Sequence, residues 1–444
     1  MEFIKPSEQF DLKGFYLEIT SKCNLRCLHC YNESGILKNE ISFELFKRLI
    51  DEFDEKPDIT FSGGEPLLHP DIWKMLEYAQ DKINNDSVLI TNATLITDEI
   101  AKKLTASGIG VQVSLNGINA EQHDAICGKG NYEKTLRGLD RLLEAGNKKI
   151  IVRGMISKLN YKDAENFVLH WGQNAGHVVV SFLSAMGRGK SIKDLIDLDL
   201  FKKQEILNEL HNSEKVNALK ESGISVGIPE AAFSFSCPFI TTSKEEKPPF
   251  APRIDAKGNT YLCQIFDGIE YSLGNVNRQS LHEILASEKF EKFINHFYLC
   301  NDFKPACKKC VFKKNCGKGC IANSANNGSA LETDGDCELR KFLMADSLVT
   351  SIAKDNWSYV KKKYKLNTTN FLFLCNCCQP RVRQDGQVPQ EHRDPGLHVR
   401  ELRCRHLPPV RNEHGPAGRV SPVEHPQRGR WHALPAASVA QCGR

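Results

Sequence analysis

No stretch of this 444-residue chain approaches the ~18 consecutive apolar residues that a membrane-crossing helix needs. Met1 to Lys13 carry acidic side chains where a secretory signal would need a continuous apolar core. A large excess of one charge is missing too: 59 basic and 55 acidic residues leave a net charge of +4, too balanced to argue for a nucleic-acid or anionic-membrane partner. With 41% hydrophobic and 26% charged residues, disorder and fibrous folds are excluded, and the length suits roughly two or three domains at ~150 residues each. The expectation is a cytoplasmic protein. What the chain has in abundance is cysteine, 17 residues. In a compartment that keeps thiols reduced, cysteines clustered at short spacings read as metal or redox ligands before they read as disulfides.

The last part of the chain differs in composition from the rest. Residues 371–444 hold 11 Arg, 6 His, 9 Pro and no Lys or Ile, whereas residues 1–370 hold 39 Lys and only 9 Arg. Such a tail reads as a shifted or fused reading frame, or as a disordered basic extension without helical or strand periodicity, and it is left out of fold reasoning.

Ahead of it, short apolar runs alternate with amphipathic stretches. Strands are expected at Phe15–Thr20, Asp58–Ser62, Val88–Thr91, Gly110–Leu115, Lys149–Ile156 and Val178–Leu183. The helices between and after them are expected at Phe43–Phe53, Ile72–Ile83, Asp98–Ala106, Tyr132–Ala145, Lys162–Gln173 and Asp199–Leu210. Six strand-helix units predict an α/β fold with a parallel sheet, curled into a partial (β/α)6 TIM-like barrel. Chemistry in such a sheet sits at the carboxyl ends of its strands, which puts Cys23–Cys30, Ser62–Pro66 and Asn116 on one rim.

The first of these loops reads CNLRCLHC and places Cys23, Cys27 and Cys30 directly after the first strand. Three thiolates are one short of the four that close a [4Fe-4S] or zinc site, so one metal position is left open for chemistry. A zinc site completed by His29 or a remote side chain, or plain buried thiols, are the duller readings. After the second strand comes FSGGEP. Gly63 and Gly64 let backbone carbonyls approach a ligand closely, and Glu65 adds a negative charge suited to an ammonium group.

Together these two loops resemble the radical SAM superfamily, and the resemblance covers roughly Phe15 to Ala185. It implies that Cys23, Cys27 and Cys30 hold a [4Fe-4S] cluster whose fourth iron is chelated by the amino and carboxylate groups of S-adenosylmethionine (SAM). Gly63, Gly64 and Glu65 would face the amino group, and Ser114 in VSLNG matches the position whose hydroxyl meets the SAM ribose. The sequence departs from its relatives at Asn116, where Asp is usual, and at Cys127, where Arg is usual.

Beyond the barrel, Cys307, Cys310, Cys316 and Cys320 read CxxCxxxxxCxxxC, with Cys337 downstream and Cys263, in GxxxxC, and Cys237 upstream. This ordered set resembles the SPASM extension, a small cysteine-rich domain with two auxiliary [4Fe-4S] clusters; a zinc knuckle is the alternative. The family pattern implies an outer cluster on Cys307, Cys310, Cys316 and Cys337 and an inner one on Cys237, Cys263 and Cys320. The fourth inner ligand is left to Cys300, substrate or water. The expected organisation is a lead-in over 1–14, the barrel over 15–225, the SPASM domain over 226–345, a helix over 346–370 and the atypical tail 371–444.

The resemblance implies an enzyme that reductively cleaves SAM to a 5′-deoxyadenosyl radical. Its expected partners are an electron donor such as a flavodoxin or ferredoxin and a ribosomally made peptide as substrate, recognised by a separate protein or by the barrel mouth, because only 22 residues precede Cys23. The modification would be a thioether or carbon-carbon crosslink, or the oxidation of a residue. Tetrapyrrole side-chain chemistry is the second enzymatic reading, and a non-enzymatic iron-sulfur or zinc protein the third. Arg188, in a Gly-Arg-Gly turn on the rim, is expected to meet a substrate carboxylate or to be solvated. His123 and Asp124 are read as acid-base candidates or as turn and helix-cap residues.

Overall fold

The computed structural model describes residues 11–183, 186–229, 249–266, 268–313, 316, 318–326 and 329–345. Cys237, the side chain of Cys300, the expected helix 346–370 and the tail 371–444 lie outside that description.

A two-residue strand, β1 (Asp11–Leu12), precedes seven strands that lie side by side and parallel. These are β2 (Gly14–Thr20), β3 (Asp58–Gly63), β4 (Val88–Thr91), β5 (Gly110–Ser114), β6 (Ile150–Ile156), β7 (His177–Phe182) and β8 (Ser225–Gly227). The six expected strand-helix units are present, and β8 adds a further parallel strand. The sheet does not close on itself. It runs on beyond β2 through β10 (Arg253–Ile254), β11 (Asn259–Tyr261) and β12 (Gly274–Asn275), while β9 (Pro249–Phe250) pairs with β1. The architecture is thus a partial barrel whose open edge is extended by strands of the cysteine-rich segment.

Alternation along each strand sorts the two faces. In β2, Phe15, Leu17 and Ile19 are buried in the core beneath the helices, so Tyr16, Glu18 and Thr20 line the inner face. By the same period, Ser62 on β3, Ser114 on β5, Arg153 on β6 and Ser181 on β7 face inward. The helical layer follows its own period: Leu45, Phe46, Leu49 and Ile50 form the buried stripe of Phe43–Asp51, whose first turn is capped by Ser42 accepting from Leu45 N at 3.2 Å.

One helix of the barrel, Ala120–Cys127, was not expected from periodicity, because AEQHDAIC carries too few apolar residues to mark a stripe. Asn119 caps it by accepting from Gln122 N at 3.0 Å. His123 is enclosed within it, and the Asp124 carboxylate accepts from Gly130 N at 2.6 Å and Tyr132 N at 2.8 Å, holding the start of helix Asn131–Glu144. Capping, the second of the two readings, is what Asp124 does.

Phe61 of β3 is fully buried, with its ring 5.5 Å from that of Phe46. Phe61→Ala should cost roughly 3 to 5 kcal/mol, the range for emptying an aromatic core position. A denaturant titration giving less than about 1 kcal/mol would show that the sheet-helix seam is not the stabilising core described here.

Candidate functional site

The ends of β2 and β3 place the cysteine loop and the GGEP turn against each other. Gly64 N donates to Thr20 O at 2.7 Å and Glu65 N to Lys22 O at 2.8 Å, so the turn is bonded to the backbone that leads into Cys23. A side chain at Gly63, where φ is +128°, would fall on the Thr20 carbonyl, and one at Gly64 on the Lys22 carbonyl. Glycine is required there for the two backbones to meet.

Cys23, Cys27 and Cys30 are reduced, partly buried and close enough to act on one another electrostatically. Burial pushes the Cys23 thiol up to about 12 and raises Cys30; contact with Cys127 and burial raise Cys27. Without metal these groups are therefore neutral, and binding iron must release their protons. Leu25 N donates to Cys23 Sγ at 3.4 Å, and the Cys30 thiol donates to Asn32 Oδ1 at 3.0 Å. Asn32 in turn donates to Gly63 O at 2.9 Å, tying the third cysteine to the GGEP turn. Neither Asn32 nor Tyr31 was singled out in the sequence; their position directly after Cys30 was the available signal.

Arg188 takes a place other than the one expected. Its Nε donates to Cys27 O at 3.0 Å and its Nη1 to Ser34 O at 3.0 Å, while its backbone N–H donates to Cys30 O at 3.1 Å. Gly187 allows this approach, because a Cβ there would strike the carbonyls of Cys30 and Tyr31. The guanidinium is used to clamp the cysteine loop and is not held out toward a substrate carboxylate.

Glu65 is 1% exposed. Its carboxylate accepts from Thr91 Oγ1 at 2.8 Å, Asn92 N at 2.9 Å and Leu67 N at 3.2 Å. Burial nevertheless raises its pKa to about 7. Ser114 ends β5 on the inner face, in register with Arg153. Below the rim the interior is polar. Tyr16 and Ser62 hydroxyls lie 2.5 Å apart, Tyr31 donates to Glu18 Oε1 at 2.8 Å, and Arg153 Nη2 donates to Ser181 Oγ at 3.0 Å. Arg253 of β10 reaches Glu18 Oε1 at 3.6 Å and covers the Tyr261 ring at 4.4 Å.

The residues fit a three-thiolate cluster with one open position. The three thiols share one loop, the glycine pair lets the GGEP backbone bond to the chain leading into that loop, and buried His29 Nδ1 has no hydrogen-bond partner. Two further groups form in the cysteine-rich segment. Cys307, Cys310, Cys316 and Cys337 line a single cavity together with Lys304, Asp334 and Arg340. Its wall contains a buried ion pair in which Arg340 donates to both Asp334 oxygens, at 3.1 and 2.7 Å. Asp334 also accepts from Cys320 N at 3.0 Å, linking this cavity to the second group. That group brings together Cys320, whose thiol burial pushes up to about 11, and Cys263.

The comparisons agree with this geometry. The family model described as the radical SAM superfamily matches residues 17–170, and one described as an iron-sulfur cluster-binding domain, SPASM, matches residues 251–311. An Fe-coproporphyrin III synthase of Methanosarcina barkeri is 30% identical over 352 residues, 73% of this chain and 87% of that protein. The mycofactocin maturase MftC of Mycolicibacterium smegmatis is 33% identical over 181 residues, 40% of this chain and 46% of that protein. Among solved structures, anSMEcpe with bound AdoMet superposes with a TM-score of 0.58 at 19% identity, covering 78% of this chain and 100% of that one. The chain belongs to the radical SAM superfamily and carries a SPASM extension.

Two expectations follow from the site. Arg188→Ala removes two side-chain hydrogen bonds from a charged donor, each worth roughly 1.5 to 3 kcal/mol, so after anaerobic reconstitution the variant should carry less iron than the wild type; equal iron content would show that Arg188 does not clamp the loop. The second concerns pH. Burial lowers the His123 pKa from 6.5 to about 4, so the folded chain prefers neutral imidazole. Its stability is complete above pH 6.5 and falls as pH drops toward 4, by about 3 kcal/mol for this group. Urea midpoints at pH 7.5 and 5 should diverge less in His123→Gln than in the wild type.

Proposed function

We propose that this enzyme uses reductive cleavage of SAM to modify a residue of a ribosomally made peptide. When bound, a [4Fe-4S] cluster on Cys23, Cys27 and Cys30 supplies the electron that splits SAM into methionine and a 5′-deoxyadenosyl radical able to take hydrogen from substrate. The observation that carries the peptide reading is the polarity of the barrel interior. Tyr16, Tyr31, Arg153 and Ser181, half-buried at the inner face, present hydroxyls and a guanidinium. Such a lining satisfies the N–H and C=O groups of an extended chain, whereas the flat face of a macrocycle calls for apolar walls. Likeness to the mycofactocin maturase MftC over 181 residues supports the same reading.

In this reading Gly63, Gly64 and Glu65 receive the SAM amino group and Ser114 its ribose. Two auxiliary clusters complete the set, the outer on Cys307, Cys310, Cys316 and Cys337 and the inner on Cys237, Cys263 and Cys320. Held by these cysteines, auxiliary clusters would supply an acceptor for the second electron or a site for a substrate sulfur, and a sulfur so held would favour thioether formation by proximity. A flavodoxin or ferredoxin supplies electrons, and a separate recognition protein delivers the peptide.

Tetrapyrrole side-chain chemistry is the second reading, favoured by the match to the Fe-coproporphyrin III synthase, which extends across 87% of that protein and not over the barrel alone. One anaerobic experiment separates them. Protein carrying about twelve iron atoms, as three four-iron clusters require, is incubated with SAM, reductant and either a peptide encoded beside its gene or an iron porphyrin. Formation of 5′-deoxyadenosine with a peptide mass loss of about two daltons, the mass of two hydrogens, supports the first reading. Formation of 5′-deoxyadenosine with loss of about 46 daltons, one carbon dioxide and two hydrogens, from a porphyrin propionate with the peptide unchanged establishes the second.

A further inference from the structure

Large apolar side chains are exposed at ten places among the described residues, and five of the ten gather around the cysteine loop. Leu28, Ile36, Leu37, Leu159 and Leu195 are 41 to 65% exposed. Backbone contacts bring them to one rim. Arg188 holds Cys27 O and Ser34 O at once, which lays the two arms of the loop side by side. A Cβ on Gly35 would sit 3.5 Å from Arg26 Cδ and 3.4 Å from Cys23 O, so Ile36 and Leu37 follow directly on a residue packed against the loop. A Cβ on Gly189 would be 3.6 Å from His29 Cα and 3.4 Å from Ile196 Cδ1, and Lys158 N donates to Ile196 O at 3.0 Å. Leu159 and Leu195 are thereby held at the same edge.

The charge among these side chains is mostly of one sign. Segments 24–38, 128–130, 158–159 and 190–195 carry Arg26, Lys38, Lys129, Lys158, Lys190 and Lys193 against Glu33 and Asp194, so six basic and two acidic groups leave a net charge of +4. Lys129 belongs to the rim because Leu28 N donates to Ile126 O at 2.9 Å, which seats the turn after helix Ala120–Cys127 on the loop. All six basic residues are exposed. Residues 1–370 as a whole hold 48 basic and 49 acidic side chains, so the rim departs from a neutral background. Single exposed leucines are ordinary, but apolar side chains gathered together mark an interaction surface, and a surrounding positive field favours an acidic partner.

Position selects among acidic partners. Leu28 stands in the chain between Cys27 and Cys30, so a protein seated on it comes within a residue or two of both thiols. Delivering an electron needs that closeness, because electron transfer weakens steeply with distance. Delivering a substrate needs entry to the barrel interior instead.

We propose that this rim is the docking surface for an acidic one-electron carrier protein of the flavodoxin or ferredoxin kind. The lysines and arginine steer the encounter, and the apolar side chains hold it. One electron leaves the reduced carrier and enters the cluster on Cys23, Cys27 and Cys30, with no atom exchanged. The inference rests on the reading that these cysteines hold the cluster.

The experiment follows 5′-deoxyadenosine formation by the reconstituted enzyme with two reductants, dithionite as a small ion and a reduced acidic flavodoxin as the carrier. Lys38→Glu combined with Lys129→Glu should slow the flavodoxin-driven rate on the order of tenfold at low salt and leave the dithionite-driven rate unchanged. Ile36→Ser with Leu37→Ser should raise the flavodoxin concentration needed for half the maximal rate. Lys56→Glu with Lys148→Glu places the same charge change just before β3 and β6, at the opposite end of the sheet, and should alter neither rate. Added salt should slow the flavodoxin-driven rate of the wild type more than that of the Lys38/Lys129 variant. Calorimetric binding of oxidised flavodoxin, which needs no turnover, should weaken in the Lys38/Lys129 variant and not in the control pair. Equal flavodoxin-driven rates in the wild type and the Lys38/Lys129 variant overturn the proposal. So does an equal loss with dithionite, which would put the defect in the loop, or slowed peptide modification at an unchanged flavodoxin-driven rate, which would give the rim to peptide delivery. A wild type that cleaves no SAM even with dithionite would overturn the cluster reading itself.

Discussion

Everything at the rim depends on holding three neutral, partly buried thiols in one short loop. A loop of that kind has little to stabilise it from within. It is held from outside on four sides: by the GGEP turn bonded to the backbone around Lys22, by Asn32 joining Cys30 to Gly63, by Leu28 on the helix ending at Cys127, and by Arg188 on the carbonyls of Cys27 and Ser34. Apart from the bond of the Cys30 thiol to Asn32, these contacts use main-chain groups of the loop, so its ordering entropy is offset largely by bonds that leave the cysteine side chains free.

The same economy links the barrel to the cysteine-rich segment. Glu18 and Arg253, each under 10% exposed in their side chains, face one another at 3.6 Å from two neighbouring parallel strands. A buried pair of this sort adds little net stability over apolar packing, but breaking it strands a charge in a place without water. Its effect is to fix which strand of the later segment lies beside β2. Arg340 and Asp334 repeat the device between the cysteine cavity and Cys320. Both pairs are tied further into their surroundings, Arg253 by donating to Gln264 O at 3.2 Å and Asp334 by accepting from Cys320 N.

Much of this was legible in the chain. Apolar alternation marked β2 to β7 to within a residue or so at their ends, because a strand buried on one face by helices must show that period whatever surrounds it. Cysteine spacing announced the first loop, since three thiols on one turn need no folding to be neighbours. The helix Ala120–Cys127 escaped notice because it is held by caps and by tertiary burial of His123 and not by an apolar stripe.

Sequence by itself therefore determined the parallel sheet, the rim on which its chemistry lies and the loops that carry the thiols, all of them properties of local periodicity and spacing. Tertiary structure alone decided what those loops rest against. Arg188 lies 161 residues from the carbonyl it binds on Cys27, Arg253 reaches back from β10 to Glu18 in β2, and Leu28 N donates to Ile126 O only because a helix end packs on the loop. Such contacts join residues whose chemistry is ordinary at their own position. Their roles arise from close approach in space, which no local pattern encodes.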